Sequence, residues 1–221
     1  MLDRVTRPLE AKGRARNPSR RGRRCATTRP VSEEQHGGKV PPPLASVTAM
    51  TPPADTRELV LRDRHLVRVR PLTATDRSIY ERAVMDLSPR SRYLRFFAPI
   101  PRLSERLLDQ MTQTDGDRHV AYVALTADGS TAVGVVRYVL RADDPNEGEV
   151  AIAVADDWQR LGLGGQLLRQ TIEHAHLAGL DSLTASTLRE NAGAVGLLQA
   201  SGFSATGASG PYAEHRVLLR H

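Results

Sequence analysis

An arginine- and glycine-rich turn between residues 154 and 167 is the part of the sequence best suited to bind a ligand. It reads VADDWQRLGLGGQL and joins the end of a predicted strand to the start of a predicted helix. Gly162, Gly164 and Gly165 leave the backbone N–H groups uncovered where the helix begins. Free donors and the positive end of the helix dipole converge at that point. The turn therefore predicts a binding site for a phosphate or a pyrophosphate.

Two common phosphate-binding loops do not fit this turn. A dinucleotide fingerprint starting at Gly162 requires Gly or Ala where the chain has Leu167, and a P-loop requires a lysine that the turn lacks. The pattern QxxGxG does fit, and it is formed by Gln159, Arg160, Leu161, Gly162, Leu163 and Gly164. This pattern resembles the coenzyme A pyrophosphate loop of the GNAT superfamily of N-acetyltransferases. Glycine-rich helix starts also occur for packing reasons, so the loop alone leaves that alternative open.

Two further segments carry the same resemblance. Residues 190–203, ENAGAVGLLQASGF, resemble the GNAT segment in which an asparagine, here Asn191, opens a helix and a Gly-Phe pair closes it. Residues 87–97, LSPRSRYLRFF, and the segment that follows are similar to the GNAT domain of bacterial protein lysine acetyltransferases.

The hydrophobic patterns predict a single domain over residues 56–221. Its elements follow the order strand, helices, three strands, helix, strand, helix and two strands. This is the GNAT order. The resemblance therefore implies a mixed α/β (α+β) fold with a central, mostly antiparallel, twisted sheet that is splayed at its middle and flanked by helices.

Glu149 is the predicted general base of an acyl transfer. On an alternating strand it shares a face with Ala151, Ala153 and Ala155, where loss of water would raise its pKa toward the working range. It also corresponds to the glutamate that GNAT lysine acetyltransferases carry on this strand. The alternative is an exposed residue in a polar hairpin beside Glu147.

The resemblance implies acetyl-CoA as the co-substrate, with no metal. Backbone groups of Ile152, Ala153 and Val154 would hold pantetheine, and Asn191 would contact the cofactor as well as cap its helix. Arg160 is predicted to pair with phosphate. Asp156 and Asp157 are predicted to be solvated, with the alternative that they attract a cationic amine.

The general acid is not evident from the sequence. Many GNAT enzymes carry a tyrosine where this chain has Leu198, so the tyrosine version of the mechanism is in doubt. Tyr212 or a water molecule is the alternative.

The N-terminal segment differs in composition from the rest. Residues 1–49 carry eleven Lys and Arg against four Asp and Glu, which leaves 20 basic and 21 acidic side chains in the remainder. Few apolar residues occur there, so residues 1–55 are predicted to be a disordered basic tail, with Met50 as an alternative start. Nucleic-acid binding would depend on this tail and is not expected of the domain.

The cysteine content and the lack of long apolar runs indicate where in the cell the protein is expected. Cys25 is the only cysteine, and no apolar run approaches the ~18 residues of a membrane span, so a cytoplasmic protein without disulfides is expected. The sequence leaves open whether the chain is a monomer or a homodimer.

These observations predict an N-acetyltransferase that moves an acetyl group from acetyl-CoA to a primary amine by direct attack in a ternary complex. The subgroup resemblance favours a protein lysine as acceptor. A small-molecule amine acetyltransferase and a catalytically silent acyl-CoA-binding sensor are the alternatives.

Overall fold

A computed structural model of the protein describes residues 56–219, so the predictions for residues 1–55 and for a start at Met50 lie outside the described residues. The strands are β1 (Arg57–Val60), β2 (Leu66–Pro71), β3 (His119–Thr126), β4 (Ala132–Leu140), β5 (Glu147–Val154), β6 (Ser182–Leu188), β7 (Ser204–Ser209) and β8 (Tyr212–Leu218). The helices are α1 (Arg77–Met85), α2 (Pro89–Phe96), α3 (Glu105–Thr112), α4 (Leu163–Leu177) and α5 (Ala192–Ala200).

The eight strands form one sheet in the order β1-β2-β3-β4-β5-β6-β8-β7. Every neighbouring pair in this sheet is antiparallel except β5 and β6, which run parallel. Only Glu147, Gly148 and Glu149 of β5 pair with β6. Beyond Glu149 the two strands separate, and we call the opening between them the split. The predicted fold, mostly antiparallel and splayed at its middle, is confirmed.

A buried carboxylate holds the closed end of the split. Glu147 is 5% exposed and accepts a hydrogen bond from Ser182 Oγ on β6 at 3.0 Å. Its other oxygen pairs with Arg141 Nε, just after β4, at 3.2 Å. Arg216 on β8 pairs with it as well. One side chain therefore ties together β6, β8 and the hairpin that leads into β5.

Two hydrophobic cores cover the two faces of the sheet. On one face α4 packs with Leu163, Leu167 and Leu168, all fully buried, as their helical spacing predicts. On the other face α1, α2 and α3 pack through a second cluster that includes Tyr80 and Phe96. Within residues 56–219, no helix has both the length and the hydrophobicity that crossing a bilayer requires.

Replacing Glu147 by Gln is expected to lower the free energy of unfolding by about 2 kcal/mol, because Arg141 and Arg216 lose their shared carboxylate in a largely buried position. Urea unfolding at neutral pH measures this change. The matched control is Glu58→Gln, which breaks the exposed pair with Arg68 and should cost less than about 1 kcal/mol. Equal losses of unfolding free energy in the two variants would contradict the role of Glu147 in holding the closed end of the split.

Candidate active site

The turn before α4 presents a run of unpaired backbone donors. Among the described residues, no hydrogen bond is made by the N–H groups of residues 160–165, whereas the next one, on Gln166, donates to the Gly162 carbonyl at 3.2 Å. Arg160 and Gly162 adopt φ angles of 62° and 94°, in the left-handed region. A turn in which several backbone N–H groups are left without partners makes a concave nest that binds anions. The turn therefore presents the free donors that a phosphate would need, and its binding of one stays a prediction.

Two of its glycines have different physical roles. A Cβ on Gly164 would lie 3.0 Å from Leu197 Cδ2, so this glycine lets α5 pack against the start of α4. A Cβ on Gly165 would meet nothing within 4 Å. The packing explanation thus holds for Gly164, whereas the space beside Gly165 is free for a ligand.

The other residues of the loop motif position the backbone. Leu163 is fully buried, so its side chain packs in the core and does not face a ligand. The Gln159 side chain donates to the Val154 carbonyl at 3.1 Å and thereby fastens the turn to the end of β5. The side chain of Arg160 is exposed, and its predicted pairing with phosphate stays a prediction.

The turn between β1 and β2 adds a cation that the sequence analysis missed. Arg62 N donates to the Leu161 carbonyl at 3.1 Å, and its Nε lies 3.6 Å from where a Cβ of Gly162 would be. His65 stacks on Trp158 at 5.3 Å between ring centroids. The only signal in the sequence is the basic turn RDRH, and nothing local says that it folds against the glycine loop.

The backbone of β5 offers its free edge to the split. Ala155 N donates to the Val133 carbonyl on β4 at 2.9 Å. Because successive residues of a strand point their backbone groups to opposite sides, those of Ile152 and Val154 point into the split. Those of Ala153 point toward β4, where it pairs with Val135. The prediction of a backbone contact at Ala153 therefore needs revision, and this residue offers only its small side chain.

The split opens into a cleft that is lined by the predicted catalytic residue and by predicted cofactor-binding residues. Glu149, Ile152 and Asn191 line it together. The Asn191 side chain accepts a hydrogen bond from Ala194 N at 3.1 Å, which confirms that it caps α5. Its contact with a cofactor stays a prediction.

Aromatic rings meet above the cleft. Phe97, which ends α2, contacts the ring of Tyr212 on β8 with the centroids 5.5 Å apart. Leu198 is buried and lines the cleft. The rings of Phe97 and Tyr212 thus connect α2 to the β7–β8 hairpin across the opening.

Glu149 has the electrostatic surroundings of a proton acceptor. Burial raises the pKa of its carboxyl above the usual range, and the positive charges of Arg137, Arg141 and Arg95 oppose part of that rise. Such a carboxylate is more basic than an exposed one. The arrangement suits the removal of a proton from an amine that enters the cleft.

Asp156 is exposed, as the sequence predicted, and it also has a structural role. Its carboxylate accepts hydrogen bonds from the Ser88 N–H at 2.9 Å, from the Ser88 hydroxyl at 2.9 Å and from the Ser91 hydroxyl at 2.6 Å. Ser88 in turn caps α2 by accepting from Ser91 N at 3.2 Å. Asp156, two residues beyond the end of β5, therefore fixes the start of α2, one wall of the cleft.

The model of the acetyltransferase (GNAT) family matches residues 84–203. The chain belongs to this family. The match spans the end of α1, the strand with Glu149, the glycine loop and α5 through Phe203. GNAT proteins are acyltransferases, and the order of elements described above is theirs.

Similar proteins agree with this assignment. An acetyltransferase of Pseudomonas aeruginosa is 37% identical over 121 residues, which cover 54% of this chain and 64% of that protein. The chain thus matches less than two thirds of that relative. The structure of the GNAT domain of S. lividans PAT is 28% identical, with a TM-score of 0.70, and covers 74% of this chain and 97% of that one. A cAMP-binding acyltransferase from Mycobacterium smegmatis, 19% identical, shares the fold with a TM-score of 0.54 over 76% of this chain and 48% of its own.

Replacing Gly165 by Asp is expected to weaken coenzyme A binding at least tenfold without loss of stability. The side chain has room, and an acidic residue in the first turn favours the helix, but its charge repels a diphosphate. Isothermal titration with coenzyme A and a thermal melt measure the two effects. Gly165→Asn, of the same size and uncharged, is the control, and equal affinities in the two variants would exclude the diphosphate from this turn.

Proposed function

We propose that the protein transfers an acetyl group from acetyl-CoA to a primary amine, by direct attack of the amine on the thioester. The observation that carries this proposal is that the free backbone groups of the glycine loop and those at the edge of β5 form one continuous path. The unpaired N–H groups of residues 160–165 lead into the edge of β5, where the Val154 N–H and the backbone groups of Ile152 face the split. A diphosphate followed by a chain with amide groups is the ligand chemistry that fits this path.

Each residue that faces the split has a separate role in the reaction. Glu149 accepts the proton of the incoming ammonium or amine, so that the nitrogen lone pair can attack the thioester carbonyl. The Ile152 N–H, directed into the split, is placed to donate a hydrogen bond to that carbonyl oxygen as negative charge develops on it. Because Leu198 has no hydroxyl group to act as an acid, the leaving thiolate takes its proton from water or from Tyr212.

A protein lysine is the acceptor that we favour within this function. Its support is the sequence similarity to the GNAT domains of bacterial protein lysine acetyltransferases in residues 87–125. Glu149 and Glu214 lie within electrostatic range of each other, and their negative charges would attract a cationic amine. A small-molecule amine is the second candidate, because the contact between Phe97 and Tyr212 narrows the opening.

Mass spectrometry of mixed acceptors separates these candidates. The protein is incubated with acetyl-CoA, a set of bacterial proteins and a set of small primary amines, and the acetylated products are identified. Acetyl-lysine in proteins supports the first candidate, and acetylated free amines support the second. Tight binding of acetyl-CoA without any product would instead indicate a sensor.

Replacing Glu149 by Gln is expected to lower kcat by about 10²–10⁴-fold, the usual contribution of a general base, with little change in acetyl-CoA affinity. In the parent protein the rate should fall in acid with an apparent pKa above the ordinary glutamate range, because burial raises the pKa of Glu149. This acidic limb should be absent in the variant. A full pH–rate profile of both proteins checks the assignment, and an unchanged limb would refute it.

The same variant should be at least as stable as the parent at neutral pH. A carboxyl whose pKa is raised by folding holds its proton more tightly in the folded state, so its contribution to the free energy of unfolding falls as pH rises from the ordinary glutamate pKa through the raised one. Removing the charge removes that cost. Urea unfolding at about pH 7 and about pH 4 should show a gain for Glu149→Gln that shrinks in acid.

A further inference from the structure

A buried threonine and a buried histidine form a pair on the side of the split that faces β5. Thr187 on β6 is 5% exposed, and His215 on β8 is 2% exposed. The Thr187 hydroxyl and His215 Nε2 are 3.0 Å apart, and Thr187 also lines the cleft. Among residues 56–219 this is the one hydrogen bond that either side chain makes, and His215 Nδ1 has no partner. The pair therefore has one polar hydrogen atom that no described residue accepts.

The position of the hydrogen atoms decides which group of the pair can face a ligand. Burial lowers the pKa of His215, so at neutral pH the ring is neutral and has a single N–H. With that hydrogen on Nδ1, a buried N–H would be left without an acceptor, and orphaned N–H groups are rarer in proteins than orphaned acceptors. With it on Nε2, the ring donates to the Thr187 oxygen. The hydroxyl hydrogen of Thr187 is then free to donate to a ligand in the cleft.

The register of the sheet places Thr187 opposite the backbone that receives the thioester. β5 and β6 pair with an offset of 35 residues, and their last pair is Glu149 with Thr184. Three residues further along each strand, the same offset puts Thr187 across the split from Ile152. The N–H of Ile152 is the proposed donor to the thioester carbonyl. The threonine hydroxyl and the carbonyl site thus lie at the same level of the two strands.

The base and this hydroxyl point to opposite faces of the sheet. Glu149 is on the face of Ala153, whose partner Val135 packs with α1, α2 and α3. Thr187 is on the face of Ala185, which packs with α4 and α5. Because the glycine loop begins α4, coenzyme A would approach the split from this second face. An amine activated by Glu149 would therefore reach the thioester from one side, and the sulfur would leave on the side of Thr187.

We propose that the Thr187 hydroxyl is a catalytic group that donates a hydrogen bond to the coenzyme A sulfur as it leaves, and that His215 is a positioning residue that directs this hydroxyl into the split. This proposal rests on the proposed function, since it assigns a further step of the same transfer. As the C–N bond forms and the C–S bond breaks, the bonding electron pair goes to sulfur, and the hydrogen bond stabilises the thiolate. A neutral imidazole is too weak an acid to replace a proton lost by Thr187. The hydroxyl therefore keeps its proton, and the thiolate is protonated afterwards by water or by Tyr212.

Coenzyme A and desulfo-coenzyme A, which has hydrogen in place of the thiol, are the probes of the sulfur contact in the full-length protein. At about pH 9 a thiol with an ordinary pKa of about 8.5 is mostly ionised, and hydrogen bonds to charged groups are the stronger ones. Calorimetry at that pH should show that Thr187→Val weakens coenzyme A binding at least tenfold and desulfo-coenzyme A binding less than twofold. Thr187→Ser, which keeps the hydroxyl, should keep both affinities within threefold of the parent.

The rate of acetyl transfer gives a second measure of the same contact. Thr187→Val should lower kcat at least tenfold with the KM for the amine unchanged, because the thiolate forms only after the amine has bound. His215→Phe removes the Nε2 donor and should lower kcat at least threefold. His215→Gln keeps an N–H near that position and should retain at least half of the parent kcat.

Thr184→Val is the matched control, since it makes the same change on the same strand. The Thr184 hydroxyl donates to the Gly148 carbonyl at 3.4 Å, and its side chain is on the opposite face from Thr187. This variant should keep both affinities and kcat within twofold of the parent. A thermal melt of each variant checks that the fold is intact.

The outcomes separate this proposal from the proposed function. If acetyl-CoA is not consumed, the proposed function fails, and the affinities for the two probes still decide whether Thr187 contacts the sulfur. If acetyl transfer proceeds, a kcat and a coenzyme A affinity of Thr187→Val within twofold of the parent overturn the thiolate contact alone. Equal losses for the two probes in Thr187→Val, or the same losses in Thr184→Val, also overturn it, because each indicates a structural effect only. Failure of coenzyme A to bind overturns both.

Discussion

The site depends on the point at which two parallel strands stop pairing. β5 and β6 are hydrogen-bonded neighbours over only three residue pairs, and the free edge of β5 beyond them is what a ligand can use. A sheet that loses backbone pairing in its middle needs another source of cohesion there. Glu147 supplies it, since it connects Ser182 on β6, Arg216 on β8 and Arg141 in one buried cluster. Two separate hydrophobic cores, one on each face, hold the remaining strands in place.

The site itself is largely made of backbone, which explains why small residues dominate it. The N–H groups of residues 160–165 are unpaired because two left-handed residues turn the chain just before α4. The two glycines have different roles. Gly164 makes room for the Leu197 side chain, and Gly165 leaves open space beside the turn that a ligand could fill. Side chains enter at only a few points, and Glu149 is the one whose burial changes its acid–base behaviour.

The sequence predicted what is local and missed what depends on tertiary contacts. The order of strands and helices, the cap at Asn191 and the fold followed from periodicity and motifs. Arg62 contacts Leu161, which lies about a hundred residues away along the chain, and Asp156 contacts Ser88, which lies 68 residues away. No local sequence pattern encodes such contacts. The revision at Ala153 has a similar origin, because its backbone direction depends on the register with β4.

The contact between Asp156 and α2 links two regions to which the proposed function assigns different substrates. Asp156 stands between the end of β5 and the glycine loop, and it also carries the first turn of α2 through Ser88 and Ser91. Any ligand that immobilises the loop therefore immobilises the helix that forms the far wall of the cleft. For a two-substrate reaction this coupling favours ordered kinetics, in which the nucleotide-bearing substrate associates first and the second substrate meets a wall already in place.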